Sequence, residues 1–174
     1  CIHISTIEQL DAFTEYTKEY NCEGLSHIYI ESELFLQNTD LFIKLQNFNY
    51  YIALPYVMRK KDYSTIASLL IKSAQMGNRG FLIRNLEEYA FLQEMGYLGE
   101  IRTDAGIYVW NRYSLEYWSS RVSSVQCPIE LNKKEGKSLF KEAPIEKLVY
   151  GRIPMMITAN CVAKTTSHCL NQQG

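Results

Sequence analysis

Short apolar runs, each separated from the next by a helical pattern, restrict this chain more than any other feature. Ile2 to Ser5, His27 to Ile30, Asn49 to Val57, Gly80 to Arg84, Glu100 to Thr103 and Val122 to Gln126 each read as a strand. Tyr50, Ile52, Leu54 and Tyr56 alternate within the third, and Ile107 to Trp110 reads as an extended continuation of the fifth. Between them lie helical segments with their own punctuation. Thr6 and Gln9 have capping-box spacing ahead of an apolar face of Leu10, Phe13 and Tyr16. A second helix runs from Asp62 through Ile66, Leu69, Leu70 and Ser73 to a terminal Gly77. Asn85 caps Leu86 to Met95, which Gly96 ends; Tyr113 to Ser120 and Leu131 to Phe140 complete the series. Strands alternating with helices predict an α/β fold of β/α units on a parallel sheet, a partial TIM-like barrel. The end departs from this rhythm. Lys147 to Tyr150 and Met155 to Thr158 flank Gly151-Arg152-Ile153-Pro154, too close for a crossover helix, and predict a β-hairpin within 142–160. A polar, cysteine-bearing tail, 161–174, follows.

Composition sets outer bounds. A chain of 174 residues, 47% hydrophobic and 21% charged, is sized for a single domain over 1–174 with an apolar core that offsets ordering entropy. The net charge of −1 advertises no basic face for nucleic acid. No run is long enough for a membrane span, and no basic region with an apolar segment opens the chain as a secretory signal would, so a cytoplasmic setting is expected. The start at Cys1 and the stop after Asn171-Gln172-Gln173-Gly174 read as a piece of a longer protein.

Five cysteines, at 1, 22, 127, 161 and 169, read as reduced thiols rather than a disulfide scaffold. Cys22 and Cys127 read as small apolar residues, Cys127 also ending a strand where barrel sites lie. Cys161 and Cys169 enclose a polar, loop-like segment with His168 beside the second, a pattern suited to metal or cluster ligation or to two unrelated thiols. Asp104 and Glu130 fall where a parallel sheet exposes its site-bearing edge, and Glu146 precedes the expected hairpin. Each carboxylate suits acid–base work, a helix cap or an ion pair, and Arg84 and Arg152 suit an anionic substrate or those same carboxylates. The 13 Tyr, 7 Phe and 2 Trp fall at core spacing. Phosphate-loop, zinc-peptidase and serine-hydrolase motifs are absent from the sequence.

The run Glu146-Lys-Leu-Val-Tyr-Gly-Arg-Ile-Pro-Met-Met-Ile-Thr-Ala-Asn-Cys161 resembles the signature region of the collagenase-like peptidase family, peptidase family thirty-two of the unknown-mechanism class. Tyr51-Ile-Ala-Leu-Pro55, the Arg84-Asn85-Leu86-Glu87-Glu88 turn, Trp110-Asn111 with Tyr113-Ser114, and Pro128-Ile-Glu-Leu-Asn132 are similar too, so the likeness runs from about Ile28 onward. The resemblance implies the C-terminal part of a (β/α) barrel catalytic region and, nominally, a peptidase. It also implies kinship with oxygen-independent hydroxylases that act on RNA bases or quinone precursors and hold a four-iron (4Fe–4S) cluster on four cysteines. By that correspondence Cys161 is the first cluster ligand and Cys169 the second, with the other two beyond this chain, so that the piece alone is expected to be inactive. Glu130, Glu146, Asn111 and Arg84 are the catalytic candidates, expected on one strand-end face. Peptide, RNA and small aromatic substrates all stay open, as does a non-catalytic interaction domain. Unpaired sheet edges lead us to expect a homodimer and no membrane association.

Overall fold

In the computed structural model, which describes residues 1–38, 45, 47–141 and 143–158, the apolar runs become strands of one sheet. These are β1 (Ile2–Ile4), β2 (Ile28–Glu31), β3 (Tyr50–Ala53), β4 (Gly80–Ile83), β5 (Glu100–Thr103), β6 (Ser124–Gln126) and β7 (Ile145–Glu146). Their spatial order is their sequence order, and every neighbouring pair is parallel. Parallel neighbours cannot be joined by a tight turn, so each connection carries helical structure across the sheet. The described helices are α1 (Ile7–Glu19), α2 (Ser32–Gln37), α3 (Tyr63–Gln75), α4 (Leu86–Glu94), α5 (Arg112–Ser119) and α6 (Lys133–Leu139). The result is an α/β fold, a curled half-barrel of alternating strands and helices.

Alternation along each strand sorts side chains to two faces. Ile4, Ile28, Ile30, Ile52, Leu54, Phe81, Ile83, Ile101 and Val125 face the helices and form the main core with Leu10, Phe13, Leu69, Leu92 and Trp118. The residues between them point inward, where Tyr29, Tyr51, Ala53 and Leu82 form a second, smaller apolar cluster. Burial on both faces is why these strands read as nearly unbroken apolar runs. At Gly80 the strands approach too closely for a side chain: a Cβ there would lie 1.9 Å from the Glu100 carbonyl oxygen.

Several local expectations hold. Thr6 and Gln9 form a reciprocal capping box, and Asn85 caps α4 by accepting from the Glu88 amide. Gly77, at φ +79°, ends α3 in the left-handed region that favours glycine. Three expectations fail. The hairpin within 142–160 does not form among the described residues: the one strand there is Ile145–Glu146, parallel to β6, and 147–158 carry no ladder. The expected strands have no face to bury, with Val149, Tyr150 and Met155 all more than nine-tenths exposed. Ile107 to Trp110 is not extended either, because Asp104 caps a short 3-10 turn over Ala105–Ile107 and Tyr108 adopts φ 53°. Tyr16 lies 55% exposed and stacks on Tyr20 instead of joining the apolar face of α1. No described helix is long and apolar enough to cross a membrane.

Candidate functional site

The carboxyl ends of β2, β4 and β5 bring charged residues to one mouth of the half-barrel. Glu31 is the last residue of β2, Arg84 follows β4, and Asp104 follows β5. Arg84 donates bidentately to Glu31, Nη2 to Oε1 at 2.6 Å and Nη1 to Oε2 at 2.9 Å, and Nη1 also donates to the Leu54 carbonyl at 2.9 Å. Its Nε lies 3.4 Å from Asp104 Oδ2 without a hydrogen bond, and its guanidinium stacks 3.7 Å from the Tyr56 ring centroid. With the Arg84 side chain only 2% exposed, these contacts stand in for the water it has lost.

Three carboxyls around Arg84 respond differently to burial. Burial pushes the Glu31 carboxyl up, but hydrogen bonds from His3 and Arg84, with the charge on Arg84, outweigh it and hold the group at about 2. Asp104 is raised by burial, which the Gly106 amide and Arg84 only partly oppose. Glu88, fully buried in α4, is pushed up to about 8 by burial despite accepting from the Arg84 amide at 2.6 Å. On the open side His3 Nε2 lies 2.9 Å from Glu31 Oε1, and the His3 side chain keeps 36% exposure. A solvent-facing imidazole oriented by an ionised carboxylate, itself clamped by a buried arginine, is an arrangement suited to accepting and returning a proton.

A second polar cluster lies toward the amino-terminal ends of the strands, where Cys1 and His27 precede β1 and β2 and Glu100 opens β5. Arg102 of β5 donates to Glu146 Oε1 at 2.6 Å and to the Tyr51 hydroxyl at 2.9 Å. Tyr29 also donates to Glu146 Oε1, at 2.8 Å, while Tyr51 donates to Glu100 at 2.7 Å. His27 packs edge-on against the rings of Tyr29 and Tyr51, with its Nε2 3.3 Å from Glu146 Oε1. Burial lowers the His27 pKa, with the Arg102 charge assisting and Glu146 opposing. Burial raises Tyr29 and Tyr51, so both stay protonated donors. Since Glu146 stands on the last strand and Tyr29 on the second, this network fastens the curled sheet to itself.

The four catalytic candidates fall in different settings. Arg84 is in the mouth cluster and Glu146 in the second one, and among the described residues they share no hydrogen-bond partner. Asn111 caps α5, its side-chain oxygen accepting from the Ser114 amide at 2.9 Å. Glu130 is exposed in the turn after β6. Of the cysteines, Cys127 is buried against the helix core, Cys22 is half-buried and Cys1 is exposed. Cys161, His168 and Cys169 lie outside the described residues. His3, Glu31 and Arg102 are absent from the sequence-based candidates; the signal for them was a charged or imidazole side chain interrupting an otherwise apolar strand. Among the described residues, Cys1, His27 and Glu146 also bring three metal-binding atoms within 4.8 Å of one another.

Comparison with protein-family models, curated proteins and solved structures returns no match to this chain.

Proposed function

We propose that the chain supplies the catalytic β/α region of an enzyme of the collagenase-like peptidase type, with its substrate at the mouth formed by β2, β4 and β5. What supports this reading is the His3–Glu31–Arg84 chain of contacts at the carboxyl ends of parallel strands, the edge where β/α barrels carry chemistry. In this reading His3 moves the proton, Glu31 orients its ring and Arg84 fixes Glu31. Asp104 adds negative charge beside Arg84, which suits a substrate that is polar and planar rather than a free anion. The reaction is oxygen-independent hydroxylation of a small aromatic or an RNA base in the longer protein, with water supplying the oxygen atom and a separate two-electron acceptor taking the electrons, and not peptide hydrolysis. No serine or cysteine of the described residues hydrogen-bonds His3, as a nucleophile paired with that base would.

Cys161 and Cys169 would be the ligands this chain contributes to a four-iron cluster. They are the right donors but half the required number, and no described cysteine stands in the mouth cluster to complete the set. A bound cluster would supply one-electron chemistry; the residues of the mouth only bind, orient and exchange a proton.

The test is product analysis of the longer protein, purified without oxygen and incubated with an added two-electron acceptor and, in turn, bulk RNA, small phenols and unstructured peptides. A gain of one oxygen atom by RNA or phenol, lost in Cys161→Ala and in His3→Gln, supports the reading. Peptide cleavage that survives Cys161→Ala overturns it and establishes a peptidase.

A further inference from the structure

The second polar cluster carries a property that the mouth site does not use. We propose that Cys1, His27 and Glu146 form a zinc site with three protein ligands and one open position. The donors are a thiol sulfur, an imidazole nitrogen and a carboxylate oxygen, a mixed set that suits zinc over magnesium or calcium, which take oxygen ligands alone. Zinc bonds of about 2.0–2.3 Å at tetrahedral angles set ligand atoms roughly 3.3–3.5 Å apart. The Cys1 thiol lies 3.4 Å from Glu146 Oε2, and the other oxygen of that carboxylate, Oε1, lies 3.3 Å from His27 Nε2, so the carboxylate faces both partners. The remaining edge, from sulfur to nitrogen, is within 4.8 Å, and the exposed Cys1 side chain is free to close it.

Outer contacts already orient these ligands. Ser26 Oγ lies 2.8 Å from His27 Nδ1 and accepts from it in the tautomer whose Nε2 lone pair faces the cluster. Arg102 and Tyr29 both hold Glu146 by Oε1, so Oε2, the oxygen beside Cys1, is left for a metal. The two aromatic edges against His27 fix the plane of its ring.

Arg102 and the amino-terminal charge oppose the site; Arg102 Nη1 lies 3.2 Å from His27 Nε2 and would give up that contact to the metal. Charge does not forbid the exchange. A zinc ion, Arg102 and the amino-terminal charge face the Cys1 thiolate, Glu146 and Glu100, whose carboxylate stands 3.7 Å from Arg102 Nη2, which leaves a single positive charge over. The exposure of Cys1 gives the ion its way in.

The experiment is zinc titration of the chelator-stripped 174-residue chain against a chromophoric chelator, with cobalt as an optical probe. One equivalent of zinc is expected, with a thiolate-to-cobalt charge-transfer band that Cys1→Ser abolishes. His27→Gln should lose the site, and Ser26→Ala should weaken it roughly 10–100-fold. The double variant Cys161→Ser/Cys169→Ser should keep both the zinc and the band. No zinc on the unaltered chain, zinc unaffected by Cys1→Ser, or zinc lost in the double tail variant overturns the proposal. Cys1 is exposed, so its substitution reads out binding without threatening the fold, which a thermal melt of each variant checks.

Discussion

Glu31 and Arg84 carry the mouth cluster, and their protonation is open to measurement. Glu31 is held at about 2, below the ordinary 4.5, so it adds stability above pH 4.5 that is lost as pH falls toward 2. The shift corresponds to about 3 kcal/mol. Urea unfolding of the unaltered chain should therefore show a steep loss of stability between pH 4.5 and 2, and Glu31→Gln should flatten that window. The variant should also be less stable at pH 7, by about 3–5 kcal/mol, because it leaves Arg84 buried beside Asp104 alone. An unchanged acid limb in Glu31→Gln would contradict the assignment. Glu88 works in the opposite sense. Its pKa is raised to about 8, so the folded state keeps a proton that the unfolded state releases, and stability falls as pH rises from 4.5 to 8. Glu88→Gln should remove that decline, seen as a Tm that no longer drops over the same interval. His3 and Glu31 were hard to find in the sequence because one polar residue in a short apolar run looks the same whether it faces solvent or the inside of a curled sheet.

At the level of the elements, local signals and long-range ones differ in legibility. The capping residues Thr6, Asn85 and Asn111 act within their own helices, through hydrogen bonds spanning three residues, and such short-range chemistry is written in the sequence. Asn111→Ala separates a cap from a catalytic group: the cap role predicts a loss of about 1 kcal/mol in stability and no change in kcat once folded. A fall in kcat with unchanged Tm would return Asn111 to the catalytic set. The strands were legible for the same reason, as apolar runs of the right length, whereas which of their residues face inward was not. Both faces of a parallel strand are buried, so Tyr29 and Tyr51 read only as core aromatics. The expected hairpin failed because β7 takes its hydrogen bonds from β6 and stops after two residues, a competition that no local pattern reveals. Gly80 marks another long-range constraint. Gly80→Ala should cost about 1–3 kcal/mol, as its Cβ would collide with the Glu100 carbonyl and force β4 from β5. A melt within a few tenths of the unaltered chain would count against that packing.

On the scale of the whole molecule, the curl of the sheet decides which distant residues meet. Glu146 joins Arg102, Tyr29 and Cys1, residues 44 to 145 positions away along the chain, and so ties β7 to the first two strands. Loss of that tie in Glu146→Gln should cost on the order of 3 kcal/mol and speed amide exchange in β1 and β7 ahead of the central strands. Arg84 and Glu146, expected together, belong to separate networks: Arg84 is taken up by Glu31 across the mouth, and Glu146 by Arg102 and Tyr29. The unpaired edges of β1 and β7 lie beyond this tie, and the proposed homodimer through them would appear as a concentration-dependent sedimentation coefficient. The central claim is that the mouth belongs to a cluster-bearing enzyme to which this chain lends Cys161 and Cys169. Its most direct test is iron and acid-labile sulfide in the longer protein, extended past Gly174 and purified without oxygen, beside its Cys161→Ala variant. The account predicts about four irons and matching sulfide per chain, lost in the variant; iron absent from both proteins, or equal in both, would contradict it.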